Sequence, residues 1–339
     1  MMADEGRHGP VSFEQFMDDA LYGPEGFYAT HGRAGRRGDF ITSPEVGPLF
    51  GAVLARWVDD AWRRAGSPDD FTVVEAGAGP GTLARTLRGP FRYVAVEVSA
   101  AQRALHPEWV ESAQSMPAEP FRGVVIANEL LDNLPFRLAV FDGAWREAFV
   151  RRDGDRCREV LSAPFDPLPA HLPPTATHGA RAPLQRRAHD WVVQARAVAD
   201  RVLVFDYCTA RTAELTGRPW REWLRTYRGH ERGQHYLADS GTQDITAQVC
   251  LDQLPEPDAV RSQAQFLLRW GIDELVAEGA EAWKQSAAAP TLESLRMRSR
   301  VSESEALLDP NGLGSFTAIE WSGTAAVASK SRSRSTWSG

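Results

Sequence analysis

The sequence predicts an α/β protein: a largely parallel sheet covered by helices on both faces, with N-terminal helices before it and a polar insertion after its last parallel strand. Three observations carry this. Short apolar runs recur, namely FTVVEAG from Phe71, YVAVEVS from Tyr93, GVVIANE from Gly123 and VLVFDY from Val202. Helical spacings lie between them, as at Trp191, Val192, Ala195 and Val198. A glycine-rich turn closes the first run. Strands that alternate with helices and read as continuous apolar runs belong to parallel sheets covered on both faces.

The elements follow in order. Ser12 with Gln15 forms a capping-box pattern, and Phe13, Phe16, Met17, Ala20 and Leu21 then recur at helical spacing until Gly23 and Pro24. Residues 23–45 are glycine-rich without a long period and read as one extended loop. A second helix carries Leu49, Phe50, Val53, Leu54, Trp57, Val58, Ala61 and Trp62 on one side, and Thr82–Leu87 opens a short helix after the first strand. Residues 137–150 alternate around Asp142-Gly143, the signature of an antiparallel hairpin. A polar insertion at 209–243 holds Trp220, Trp223, Tyr227, His230, His235 and Tyr236. Helices are expected around ITAQVCLDQL and AQFLLRWGIDELV, and SFTAIEW with TAAVAS reads as a final antiparallel strand pair. The expected segmentation is a cap with lid loop at 1–65, a sheet core at 66–208 holding the hairpin, acceptor-side insertion and helices at 209–300, the strand pair at 301–328 and a disordered tail at 329–339.

Composition excludes several function classes. The 339 residues carry 38 basic and 45 acidic side chains, a formal charge of −7. That balance argues against nucleic acid as a partner, because cations on phosphates supply most of such affinity. No apolar run approaches the roughly 20 residues that span a bilayer. The first residues lack the basic start and apolar stretch of a signal peptide, so a cytoplasmic location is expected. Cys157, Cys208 and Cys250 lie far apart with no CxxC spacing, so neither a metal site nor a disulfide framework is expected. Lysine occurs only at 284 and 330, which leaves no good candidate for a Schiff-base or P-loop lysine.

The chemistry concentrates at VVEAGAGPGTL. Gly77, Gly79 and Gly81 follow a strand and precede a helix, so the backbone can turn tightly and admit a ligand closely. Thr82 stands where a dinucleotide loop carries its last glycine, and Pro80 removes an N–H from any pyrophosphate cradle. S-adenosylmethionine has no phosphate, and its ribose diol suits a carboxylate at the end of the next strand. Glu97 lies twenty positions after Gly77, close to the ~20 expected of a ribose-binding acid. Glu75 can reach the ligand's methionine end, directly or by backbone positioning. NAD is the poorer fit to this loop.

A second group lies past the third strand. Asn128, Glu129 and Asp132 sit at a strand's C-terminal end, where open α/β sheets bind ligands. If the segment turns helically, Glu129 and Asp132 share one face. Paired carboxylates suit a guanidinium, whose five donors form a flat fork, although such acids also serve as caps. Asp39, Thr42, Ser43 and Glu45 precede a helix, as lid residues or simply as a cap with Pro44 at the first turn. His230 and His235 in the insertion are candidate bases or merely solvated.

The ordered blocks ALYGPEGFY, GDFITSPEVGPLFG, VVEAGAGPGTLA, YVAVEVS, ANELLDNLPFR, VFDY, YRGH, GTQDITAQV and QAQFLLRWGI resemble the MidA-like methyltransferases. That family includes the mitochondrial complex I assembly-factor protein-arginine methyltransferases and many bacterial relatives. The resemblance spans roughly residues 12–325. It implies a class I, Rossmann-like methyltransferase sheet with an N-terminal helical cap and an inserted substrate-side subdomain, which binds S-adenosylmethionine through Gly77, Gly79, Gly81 and Glu97, bordered by Thr42, Ser43 and Glu45. Asn128, Glu129 and Asp132 would face the acceptor, with Asp39, Tyr227, His230 and Asp244 on the substrate side. The sequence departs from the family at Cys208, at Asn133 and in LADS before GTQDIT, all toward the acceptor. The expected reaction is methylation of an arginine nitrogen in a protein or peptide. A small-molecule acceptor and a non-catalytic assembly role are the alternatives, and a homodimer is compatible with either.

Overall fold

The computed structural model describes residues 9–30, 42–154, 156–228, 231–286 and 288–324. The chain divides into two compact units that share the sequence in alternating stretches. The sheet unit takes residues 33–130, 191–207 and 256–339; the hairpin unit takes 1–32, 131–190 and 208–255. No helix among the described residues is long and apolar enough to cross a membrane.

In the sheet unit seven strands lie side by side in the order Ala259–Ser262, Thr317–Ser322, Arg201–Asp206, Gly123–Asn128, Thr72–Ala76, Arg92–Val96 and Glu111–Ala113. The five from Arg201–Asp206 to Glu111–Ala113 are parallel. Thr317–Ser322 runs antiparallel both to Arg201–Asp206 and to Ala259–Ser262. Every residue of Thr72–Ala76 is buried, as a central parallel strand requires. The helix Pro48–Arg64 turns Leu49, Phe50, Val53, Leu54, Trp57 and Val58 into the core that holds Val73, Val124, Ile126, Leu203 and Phe205. The Trp57 indole N–H, buried with its ring, donates to Glu320 at 3.0 Å.

The order of these strands places the site. After Thr72–Ala76 the chain builds outward through Arg92–Val96 and Glu111–Ala113, then returns to Gly123–Asn128 on the other side of Thr72–Ala76. The loops leaving these two neighbours therefore diverge, opening a crevice at their carboxyl ends. Residues 77–81 and Asn128–Glu129 occupy those two ends.

The hairpin unit is antiparallel. Arg137–Phe141 and Trp145–Asp153 pair across a turn in which Gly143 has φ +72°. Arg156–Pro164, Val11–Ser12 and Arg181–Leu184 complete that sheet. The helix Phe13–Tyr22 starts with half of the expected capping box: Ser12 Oγ accepts from the Gln15 N–H at 3.1 Å, while the Gln15 side chain donates to Asp19 Oδ1 at 2.9 Å, and the helix buries Phe13, Phe16, Met17, Ala20 and Leu21. A second sheet joins Leu224–Arg228 to Glu231–Arg232 and to Asp244–Ala247.

Several expectations are corrected. The linear segmentation gives way to interleaved units, so the hairpin at 137–150 lies outside the parallel sheet, and residues 256–300 belong to the sheet unit. ITAQVCLDQL is not a helix: Asp244–Ala247 and Val249–Cys250 are strands, the first paired in register with Leu224–Arg228. Its β-branched Ile245, Thr246 and Val249 favour that outcome. SFTAIEW finds its antiparallel partners in Arg201–Asp206 and Ala259–Ser262; the second half of the expected pair, past Thr324, lies outside the described residues. The long loop holds a short helix at Phe27–Thr30 and another at Ser43–Val46.

Candidate active site

The glycine loop is tied down from within. Gly77, Gly79 and Gly81 have φ of +70°, +52° and +76°, a conformation that side chains with a Cβ rarely adopt. The Ala78 N–H bonds to Val96 O at 3.0 Å, the Gly79 N–H to Glu97 Oε2 at 3.0 Å and the Gly81 N–H to Ala78 O at 2.9 Å. Pro80 has none. From 78 to 81 the loop therefore offers no N–H to a phosphate, which a dinucleotide needs and an adenosyl sulfonium does not. A Cβ added at Gly77 would meet Leu130 Cδ1 at 3.2 Å, whereas one at Gly79 would meet nothing within 4 Å among the described residues. Gly79 is thus the point where the loop opens on unfilled space.

Glu97 stands beside it. Its Oε1 accepts the Ser99 N–H at 2.8 Å and its Oε2 the Gly79 N–H at 3.0 Å. A carboxylate has about four acceptor sites, so these anchors fix its direction and leave capacity for a diol. Open space at Gly79, an oriented acid and the lack of phosphate donors fit S-adenosylmethionine. Glu75 is placed differently from a direct ligand contact. It is buried and accepts from the Tyr93 hydroxyl at 2.6 Å. Burial pushes its carboxyl up to about 8, with the nearby Glu97 adding to the rise and the Tyr93 bond and Arg85 opposing it.

Across the crevice, Glu129 has φ +52°, an uncommon conformation for a residue with a side chain and one that concentrates at functional sites. Its N–H continues the sheet by bonding to Phe205 O at 2.8 Å. Oε1 accepts from Asn128 Nδ2 at 3.0 Å and Oε2 from the Tyr207 hydroxyl at 3.3 Å. Desolvation pushes this carboxyl up to about 8, Asp206 and Glu45 push the same way, and the bonds from Asn128 and Tyr207 pull it down. Asn128 Oδ1 is enclosed and has no hydrogen-bond partner among the described residues. The expected Glu129–Asp132 helical face does not form. Glu129 is left-handed, Leu131–Asn133 is a single 3-10 turn, and the two acids fall in different units.

The front segment is packed into the sheet unit. The Thr42 N–H donates to Glu45 Oε2 at 3.3 Å, and Glu45 is near enough to Glu129 to influence its charge. Ser43 is buried, its hydroxyl donating to Gln263 Oε1 at 2.8 Å, so it serves packing instead of facing the crevice. Glu303 Oε2 accepts the Leu49 N–H at 2.8 Å and holds the start of the helix Pro48–Arg64. Asp39 lies outside the described residues.

The hairpin unit gathers its own acids. Asp132 and Asp244 are both buried. Asp244 Oδ1 accepts from the Tyr28 hydroxyl at 3.1 Å and from Asn133 Nδ2 at 3.0 Å, and the Tyr22 hydroxyl donates to Asn133 O at 3.2 Å. Burial, with Asp244, Tyr22 and Asp132 near, keeps the Tyr28 hydroxyl protonated. Tyr227 is the cross-strand partner of Asp244. His235 is a poor candidate base: burial and the charges of Arg221 and Arg181 lower its pKa, and its Nδ1 accepts the Leu237 N–H at 3.2 Å. His230 lies outside the described residues. Tyr28, Asn133, Asp206 and Tyr207 were missed as site residues; Tyr28 and Tyr207 end the quoted blocks ALYGPEGFY and VFDY, the only signal that marked them.

Residues 53–267 match the family model of S-adenosyl-L-methionine-dependent methyltransferases. The mouse mitochondrial protein arginine methyltransferase NDUFAF7 is 32% identical over 329 residues, covering 78% of this chain and 72% of that protein. The Drosophila melanogaster homolog is 28% identical over 71% of this chain, and the match spans only 65% of its length. The Xenopus tropicalis protein is matched over 30% of its length, at 33% identity. Among solved structures, a COG1565 superfamily member from Burkholderia thailandensis bound to S-adenosyl-homocysteine superposes with TM-score 0.77 at 25% identity, covering 93% of this chain and 88% of that one.

Proposed function

Because the chain belongs to the family of S-adenosyl-L-methionine-dependent methyltransferases, we propose that it methylates a guanidinium nitrogen, an arginine of a protein or peptide. When bound, the cofactor supplies a methyl group on a sulfonium; the work left to the protein is seating and orientation. Gly79 leaves room for the ligand, and Glu97 holds its ribose diol. Glu129 is the residue on which the acceptor reading rests. Its carboxyl is aimed by Asn128 and Tyr207 at the strand end that neighbours the glycine loop.

A guanidinium entering there finds a carboxylate for two of its N–H groups and Asn128 Oδ1 for another. Charge drawn toward Glu129 leaves the remaining nitrogen the better nucleophile. The same carboxylate can take up the proton that nitrogen releases once the methyl group is transferred. The protein-arginine names of the mouse and Drosophila relatives favour the same acceptor class.

The test is incubation of the full chain and a cell extract with methyl-labelled S-adenosylmethionine, followed by mass analysis. Label on arginines of proteins supports the reading. Label confined to small molecules replaces the acceptor, and no transfer with intact cofactor binding removes catalysis.

A further inference from the structure

We infer that His106 is a positioning residue for the cofactor loop, holding the Gly79 carbonyl while Glu97 holds the Gly79 N–H. The inference rests on the reading of residues 77–81 as the cofactor's seat. His106 Nε2 lies 2.9 Å from Gly79 O, and Nδ1 lies 2.9 Å from Ser112 Oγ. A carbonyl only accepts, so Nε2 carries the hydrogen, and the rotatable Ser112 hydroxyl meets Nδ1 in either role. Gly79 is thus held at both of its backbone groups, its N–H by the acid at the end of one strand and its C=O by an imidazole anchored to Ser112 of the Glu111–Ala113 strand.

The next carbonyl is treated likewise. Arg85 NH1 donates to Pro80 O at 2.8 Å, and its NH2 to Leu105 O at 2.6 Å, which ties the loop to the residue before His106. Packing keeps the imidazole in place: a Cβ at Gly81 would fall 3.2 Å from His106 Cδ2 and 3.2 Å from Pro107 Cδ. Three glycines within five residues leave this backbone many conformations, of which one is complementary to a ligand. A brace that removes the others raises affinity by lowering the cost of ordering. His106 itself is half-exposed, so its removal is expected to act on the loop more than on the fold.

The experiment compares wild type with His106→Ala, His106→Gln and Ser112→Ala in calorimetric titration with S-adenosylhomocysteine, with amide exchange of residues 77–82 as a readout independent of ligand. The lost hydrogen bond predicts affinity roughly five- to tenfold weaker in His106→Ala, with faster exchange across the loop and an effect on KM for the cofactor larger than on kcat. Ser112→Ala shifts in the same direction by less. The Gln Nε2 can still donate to Gly79 O, so His106→Gln recovers most of the affinity. Wild-type affinity and exchange in His106→Ala overturn the inference, and so does a His106→Gln variant as weak as His106→Ala. A wild-type chain that binds no S-adenosylhomocysteine removes the functional reading of the loop, while the exchange comparison still decides whether His106 holds it.

Discussion

The most exposed consequence of the proposed chemistry is the pH dependence written into Glu129. Its carboxyl must be ionised to receive a guanidinium, yet desolvation and the neighbouring Asp206 and Glu45 hold it up to about 8. At pH 7 only about 9% of molecules then carry the charged form, rising to about 91% at pH 9. A guanidinium stays charged throughout this range, so kcat/KM should climb about tenfold between these limits and level off above. Ionising Glu129 at pH 7 costs about 1.4 kcal/mol, and the entering cation offsets that cost. The kcat profile, which reports the loaded complex, should therefore inflect at lower pH. Glu129→Gln keeps the shape, the bond from Tyr207 and the loop; it should lose roughly 100-fold or more in turnover and lose the inflection with it. Initial rates of S-adenosylhomocysteine release, with an identified arginine acceptor across about two pH units on either side of the Glu129 value of about 8, measure this directly. A flat kcat/KM in the wild type, or an inflection near 8 that persists in Glu129→Gln, refutes the assignment.

Three further outcomes are expected. Glu97→Ala removes the anchor of the Gly79 and Ser99 N–H groups together with the proposed diol acceptor, so calorimetric affinity for S-adenosylhomocysteine should fall at least about tenfold; unchanged affinity contradicts the seating. Glu75, ordinarily near 4.5 and held up to about 8, keeps its proton in the folded chain while the unfolded chain ionises. Its contribution is therefore full below about pH 4.5 and is lost as pH rises through about 8, by up to about 1.4 kcal/mol per unit. Glu75→Gln should gain on the wild type across that window in denaturant midpoints, and parallel curves would count against it. Glu303→Ala strips the cap from the Leu49 N–H and should cost about 1–3 kcal/mol, visible as a lower thermal midpoint; an unmoved midpoint denies the cap its role.

The backbone of the candidate site could be read from the residues because local chemistry determines it. Gly77, Gly79 and Gly81 take the left-handed backbone that only their residue type adopts easily, and Glu97 ends the neighbouring parallel strand, paired through Ala76 and Val96. What was illegible depends on partners distant in sequence. Glu129 and Asp132 have the spacing of a helical face, but the Glu129 N–H bonds to Phe205 and the turn goes the other way. ITAQVCLDQL fits a helical period as well as a strand, and only pairing with Leu224–Arg228 decides it. Ser43 looks like a lid residue until Gln263, 220 positions on, takes its hydroxyl. His106 has no motif around it; its value comes from a carbonyl 27 positions earlier.

The place of Thr317–Ser322 in the sheet bears on how the protein is made. It lies between Arg201–Asp206 and Ala259–Ser262, and among the described residues Ala259–Ser262 has no other neighbour in that sheet. During synthesis the parallel half can form early, but Arg201–Asp206 must wait for more than a hundred further residues to leave the ribosome. For that interval it presents an apolar strand with an open edge, a template for pairing with another nascent chain. Assembly of the sheet is therefore late and non-local, and such topologies fold slowly.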